Sequence, residues 1–230
     1  LKILKAEPVS KPLVILDPGH GGKDGGTVSG DVLEKNLNLL LMKKIVSELS
    51  RHQVSVVTTR SEDEMIGLAD RALIANKYPN AIFISIHHNA ATLNSAKGIE
   101  TYYSNNKPKN LKIEQMNILK IKEGEVFNDD RSKMLAKLLH SSVCSVTQAS
   151  DRGVRDRSLA MTRWVSCPSV LIECGFLTNP EEKLDLLSES YRDALSRGIT
   201  EGVLKYFSEL NNDPYYGVTF KRAPRAIAEL

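Results

Sequence analysis

Short apolar runs alternate with amphipathic stretches along most of this chain, and that alternation restricts its fold more than any other feature. "PLVILD" (Pro12 to Asp17) is apolar almost throughout, as a strand covered on both faces of its sheet must be. "EKNLNLLLMKKIVSEL" follows, with Leu37, Leu40, Leu41, Ile45 and Leu49 at helical spacing. "VSVVTTR" (Val54 to Arg60), "AIFISIHHN" (Ala81 to Asn89), "GIETYYS" (Gly98 to Ser104) and "SVLIECGF" (Ser169 to Phe176) are further strands. "LADRALIANKY", "RSKMLAKLLHSSVCSV" and "YRDALSRGITEGVLKYFSEL" supply helices between and after them. Strands alternating with helices predict one α/β domain over residues 1–211, a mostly parallel twisted sheet flanked by helices on both faces.

Two segments stand outside the alternation. Residues 105–130 separate a strand from a helix by more chain than such a connection needs. Residues 212–230 carry two prolines and little periodicity, and are predicted to form a peripheral tail.

Bulk properties exclude several function classes. A net charge of +3, scattered along 230 residues, does not form the basic patch that nucleic acid requires. No apolar run is long enough to span a membrane. The chain opens on Leu1 rather than methionine, as a processed or trimmed chain does, and any signal peptide would lie upstream of it. Cys144, Cys167 and Cys174 match no zinc-ribbon spacing, and a disulfide between two of them is left open.

The glycines around His20 in "DPGHGGKDGG" raise the question of a phosphate loop. A Walker loop needs Ser or Thr after its lysine, whereas Lys23 is followed by Asp24, which repels phosphate. A dinucleotide fingerprint fails at its last glycine. Ligands of open α/β sheets bind outside the carboxyl ends of strands, and there the chain offers His20, then His87, His88 and Asn89, then Glu173. Glu34 opens a helix nearby in sequence. Two histidines and a carboxylate leave a fourth position for water, as a catalytic zinc site does, and a further glutamate would serve as base. Singly, His20 also fits a hydrogen-bonded turn residue, Glu34 a helix-dipole charge and Glu173 a buried ion-pair partner.

Together, "VILDPGHGGKDGG", "EKNLNL", "ISIHHNA", "GIETYY" and "PSVLIECGFLTNPEE" resemble the zinc-dependent N-acetylmuramoyl-L-alanine amidases, a family of cell-wall hydrolases. The likeness spans about residues 12–207, with a gap at 105–130. It implies hydrolysis of the amide between N-acetylmuramic acid and L-alanine in peptidoglycan, during wall remodelling or septal cleavage. It implies one Zn2+ per chain on His20, Glu34 and His87, with Glu173 as the catalytic base. A monomer in the periplasm or outside the cell is expected, with peptidoglycan as its partner. The rival readings are a zinc peptidase or carboxypeptidase acting on stem peptides and a non-catalytic peptidoglycan-binding module.

The departures from the family carry expectations of their own. His88 stands where the family has a small residue; strand alternation turns it away from His87, and burial is its expected role. Cys174 should likewise face away from Glu173 and pack. Asn89 is expected to hydrogen-bond the substrate oxygen or hold the site's shape. The 105–130 segment falls where some relatives carry a helix over the zinc that an activator protein displaces, so Glu114, Glu123 or Glu125 could reach the metal; a surface loop shaping the groove is the alternative. "SNNK" (Ser104 to Lys107) has the S-x-x-K form of penicillin-binding serine enzymes, but Pro108 follows at once and no K-T-G strand accompanies it. Arg152, Arg155, Arg157 and Arg163 read as a solvated charged loop, with Arg157 a candidate for stem-peptide carboxylates; Arg60 and Arg71 carry the same two readings.

Overall fold

The apolar runs converge on one sheet in a computed structural model that describes residues 12–105 and 129–212. In chain order the elements are β1 (Leu13–Pro18), β2 (Val28–Ser29), β3 (Val32–Leu33), α1 (Glu34–Arg51), β4 (Ser55–Thr58), α2 (Leu68–Ala75), β5 (Ile82–Asn89) and β6 (Ile99–Tyr103). Then come α3 (Asp129–Thr147), β7 (Asp151–Asp156), α4 (Ala160–Arg163), β8 (Ser169–Phe176), α5 (Pro180–Leu187) and α6 (Glu189–Asn212). The sheet order is β4-β1-β5-β8-β6-β7. The first four strands run parallel; β6 turns antiparallel to β8, and β7 follows β6. The fold class is therefore α/β and mostly parallel, with a reversal that the apolar pattern does not encode.

Alternation along the strands sorts side chains between two cores. Val14, Leu16, Ile84, Ile86, Ile172 and Cys174 join Leu37, Leu41 and Ile45 of α1, Leu139 and Val143 of α3, and Ile199 and Val203 of α6. Ile15 and Phe83 face the opposite way, against Ala72 and Ala75 of α2 and Met161 of α4. Burying each Leu, Ile or Val contributes roughly 1.5–3 kcal/mol, so the α1–α3–α6 layer holds the sheet more strongly than the shorter α2–α4 layer.

β7 corrects the reading of the arginine segment as a loop. "DRGVRD" is an edge strand, polar because its outer side pairs with no strand among the described residues, and bonded to β6 through the backbone. All three cysteines are free thiols, and Cys174 is fully buried. Among the described residues, no helix is long and apolar enough to cross a membrane. Residues 213–230, Lys107, and Glu114, Glu123 and Glu125 lie outside the described residues; Ser104 is buried just past β6 and is not part of a helix.

Candidate metal centre

The parallel strands end where the chain must turn, and the turn after β1 carries His20 at φ 61. Left-handed backbone is uncommon for a residue with a Cβ, and such strain gathers at functional sites when its surroundings enforce it. Two buried arginines do the enforcing. Arg60 donates from Nε to Pro18 O and from Nη2 to Gly19 O, each at 2.9 Å. Arg71 reaches Pro18 O from Nη1 at 3.0 Å and His20 O from Nη2 at 2.7 Å. Its Nη1 also pairs with Asp17 Oδ1 at 2.6 Å, while Thr59 and Ser85 hydroxyls donate to the same buried carboxylate. Arg60 and Arg71 are thus neither solvated charges nor substrate contacts; they grip the carbonyls of the turn.

Glu34 arrives from the other side. The β2–β3 hairpin delivers it to the first turn of α1, whose leading amides are satisfied by loop carbonyls: Glu34 N donates to Thr27 O at 2.9 Å and Lys35 N to Gly25 O at 3.1 Å. Its carboxylate lies between two imidazoles, with Oε2 3.2 Å from His20 Nε2 and Oε1 2.9 Å from His87 Nδ1. The amides of Thr27 and His88 also donate to it, at 2.8 and 3.1 Å. Burial pushes the Glu34 carboxyl up, but the hydrogen bonds from His20 and His87 outweigh it and hold the group far below the usual carboxylate range. The hydrogen bond to Glu34 likewise raises His20 to about 9 against the opposing effect of burial.

One ligand atom from each of His20, Glu34 and His87 lies within 4.8 Å of the other two. Their donor set of two imidazole nitrogens and a carboxylate oxygen fits zinc with a position left open. The backbone makes room for it: a Cβ on Gly26, at φ +66, would fall 2.5 Å from Glu34 Oε2 and 2.6 Å from His20 Cδ2. A Cβ on Gly19 would strike the His87 ring at 2.2 Å. Asp24, which sequence reasoning noticed only as hostile to phosphate, accepts from His20 Nδ1 at 2.9 Å and fixes that ring. Its spacing of four residues from His20 was the available signal.

Glu173 sits on β8 in register with His87 on β5, so both project on one face of the sheet. Its Oε2 is shut off from solvent and has no hydrogen-bond partner among the described residues. Burial pushes this carboxyl up to about 7, further raised by Glu34 and Glu100 and opposed by His87. Such a group is positioned and poised to exchange a proton near neutrality.

His88 takes the opposite face, 1% exposed. Its Nδ1 donates to Asn38 Oδ1 at 2.7 Å, and Asn38 Nδ2 passes the contact on to Gly19 O at 3.1 Å. Burial lowers His88 to about 4, so it is neutral and braces the His20 turn from below. Asn89 directs Nδ2 to Glu100 Oε2 at 3.1 Å and accepts from Ala90 N through Oδ1. Glu100 also receives Arg152 Nε at 2.7 Å, Arg155 at 3.3 Å and the Tyr102 hydroxyl. Arg152 and Arg155 are therefore ion-paired. Arg157 is exposed, its guanidinium 5.5 Å above the Tyr102 ring, and Arg163 lies 5.8 Å from the Trp164 ring.

Comparison with known proteins bears on the family and the fold. A sequence profile described as N-acetylmuramoyl-L-alanine amidase matches residues 14–205. The N-acetylmuramoyl-L-alanine amidase LytC of Bacillus subtilis is 28% identical over 200 residues, covering 87% of this chain, which in turn spans 36% of LytC. The crystal structure of an N-acetylmuramoyl-L-alanine amidase from Clostridium difficile 630 superposes with a TM-score of 0.74 at 38% identity, covering 86% of this chain and 97% of that one. The CwlD amidase of Clostridioides difficile, solved in complex with the GerS lipoprotein, gives 0.71 at 27% identity over 86% of this chain and all of that one, 100%. The chain belongs to the N-acetylmuramoyl-L-alanine amidase family.

Proposed function

We propose that this chain hydrolyses the amide between the lactyl group of N-acetylmuramic acid and L-alanine in peptidoglycan, with one zinc ion on His20, Glu34 and His87. The observation that carries the reading is Glu173, whose buried, partnerless Oε2 lies beside the His20–Glu34–His87 cluster. Burying such a group unpaired is costly, and a module that only bound peptidoglycan would have no use for it.

Zinc bound there supplies a Lewis acid that acidifies water and polarises the scissile carbonyl. Glu173 accepts the proton of the attacking water and hands it to the departing alanine nitrogen. Asp24 keeps the His20 ring turned toward the cluster, and Glu34 balances positive charge. Asn89, engaged with Glu100, holds the shape of the rim. Arg157 offers an exposed guanidinium to a stem-peptide carboxylate.

The same reading places the chain outside the cytoplasm, where its polymer lies, in the periplasm or the extracellular wall. An activator acting through residues 105–130 belongs to the proposal, supported by the CwlD–GerS complex. Deleting residues 108–128 tests it: unchanged hydrolysis of peptidoglycan removes the autoinhibitory role.

Mass spectrometry of muropeptides digested with and without chelator tests the reaction itself. Peptides with a free N-terminal L-alanine, formed only without chelator, are the expected products. Intact lactyl amides with clipped stem peptides would assign the chain to the peptidases instead.

A further inference from the structure

A second group of metal-ligating side chains stands three strands from His87 in sheet order, about 14 Å away at ~4.8 Å per strand, on the other face. His140 lies on α3 against β6, nearly buried, with Nδ1 3.0 Å from Thr101 Oγ1. Its Nε2 is 2.8 Å from Asp151 Oδ1 and 3.6 Å from Cys144 Sγ. His140 and Cys144 are one helical turn apart and so share a face of α3. Asp151, the first residue of β7, closes on them from the edge strand. The three ligand atoms lie within 4.8 Å of one another, the same compass as the cluster around Glu34.

The donor set differs from that cluster in one respect that matters: it contains sulfur. Nitrogen, thiolate and carboxylate together suit a borderline-soft dication such as zinc better than a hard one. Zn–N, Zn–O and Zn–S bonds at tetrahedral angles separate donors by about 3.3–3.7 Å. The Nε2–Sγ distance is already 3.6 Å, and Oδ1 must withdraw from Nε2 by about 0.5 Å. Asp151 is free to do this, since its side chain is 67% exposed. Without metal, Nε2 donates to Asp151 Oδ1; on metal binding the ring proton sits on Nδ1, where Thr101 Oγ1 accepts it, and the Nε2 lone pair is free for the ion.

We infer that His140 Nε2, Cys144 Sγ and Asp151 Oδ1 form a second, structural zinc-type site that clasps the end of α3 to edge strand β7. On binding, the Cys144 thiol releases its proton to solvent, so thiolate and carboxylate balance the dication while the imidazole stays neutral. Water completes the coordination on the open Asp151 side. The clasp anchors the strand whose Arg152 and Arg155 pair with Glu100, opposite Glu173. It does not depend on the reaction proposed above.

Cobalt(II) separates the two sites, because only this one contains sulfur. The full chain is stripped with chelator, kept reduced with a phosphine and titrated with Co2+. A near-ultraviolet thiolate-to-cobalt charge-transfer band is expected, saturating with one equivalent of ion per chain whether or not the His20 cluster also loads. Cys144→Ser should abolish the band and one equivalent of bound ion, and Asp151→Asn should weaken binding at that equivalent at least tenfold. His20→Ala should keep the band. No thiolate band in the parent chain, or a band that survives Cys144→Ser, overturns the assignment and leaves a hydrogen-bonded His140–Asp151 pair.

Discussion

Glu100 and Glu173 face one another directly across the antiparallel β6–β8 pair, and their surroundings treat them oppositely. Arg152, Arg155, Tyr102 and Asn89 all turn to Glu100, while Glu173 Oε2 has no partner. The first carboxylate is a framework ion; the second is left free to exchange a proton. Glu173→Gln should therefore lower kcat for peptide release by about 10²–10⁴-fold with metal content unchanged. Parallel metal analysis and muropeptide assays check this; loss of bound zinc would make Glu173 a ligand instead of a base.

The Glu100 network sets an acid limit on stability. Burial pushes Glu100 up, but the Tyr102 hydrogen bond and Arg152 outweigh it, so its folded pKa lies below the ordinary 4.5. A depressed carboxylate contributes stability above its unfolded pKa and loses it as pH falls through the folded value. The urea midpoint should fall as the pH drops below the ordinary 4.5 and through the lower folded value, and less steeply in Glu100→Gln. Equal slopes in the two proteins would remove Glu100 from the explanation.

Gly26→Ala should harm the cluster more than the fold. Left-handed backbone costs an alanine roughly 1–2 kcal/mol, and its Cβ would land 2.5 Å from Glu34 Oε2. The ligand carboxylate must then move. Zinc affinity, measured by chelator competition, is expected to drop by more than the unfolding free energy implies.

These supports were only partly legible in the linear chain. The strands β1, β5, β6 and β8 announce themselves because burial on both faces demands apolar runs, and the edge strand β4 by its β-branched residues. β7 does not: an edge strand held by backbone pairing tolerates "DRGVRD", and the partner of its arginines is Glu100, distant in sequence. His20, His87 and Glu173 could be found at strand ends, and Glu34 at a helix start. Asp24, Asn38, Arg60 and Arg71 escaped because their task is to hold backbone carbonyls or orient a ring, which depends on three-dimensional neighbours alone. The reversal of β6 escaped for the same reason, since a buried strand reads alike in both directions.

Arg71→Met should be the most damaging of the supporting changes. It strands Asp17 as a buried charge, which costs about 3–5 kcal/mol. Chemical denaturation checks the loss, and adding Asp17→Asn to the same protein should recover part of it.

Chelation should stop hydrolysis without unfolding the chain. Far-ultraviolet circular dichroism and activity measured on one sample are expected to diverge, with zinc restoring turnover. Simultaneous loss of both would tie the fold to the metal.

The guanidinium grip of Arg60 and Arg71 on the carbonyls of Pro18, Gly19 and His20 is made entirely within the chain. A turn pinned by the chain's own cations needs no metal ion to hold its shape. Under the proposed zinc chemistry, folding and metal loading are then separable, and loading answers to how much zinc the surroundings supply.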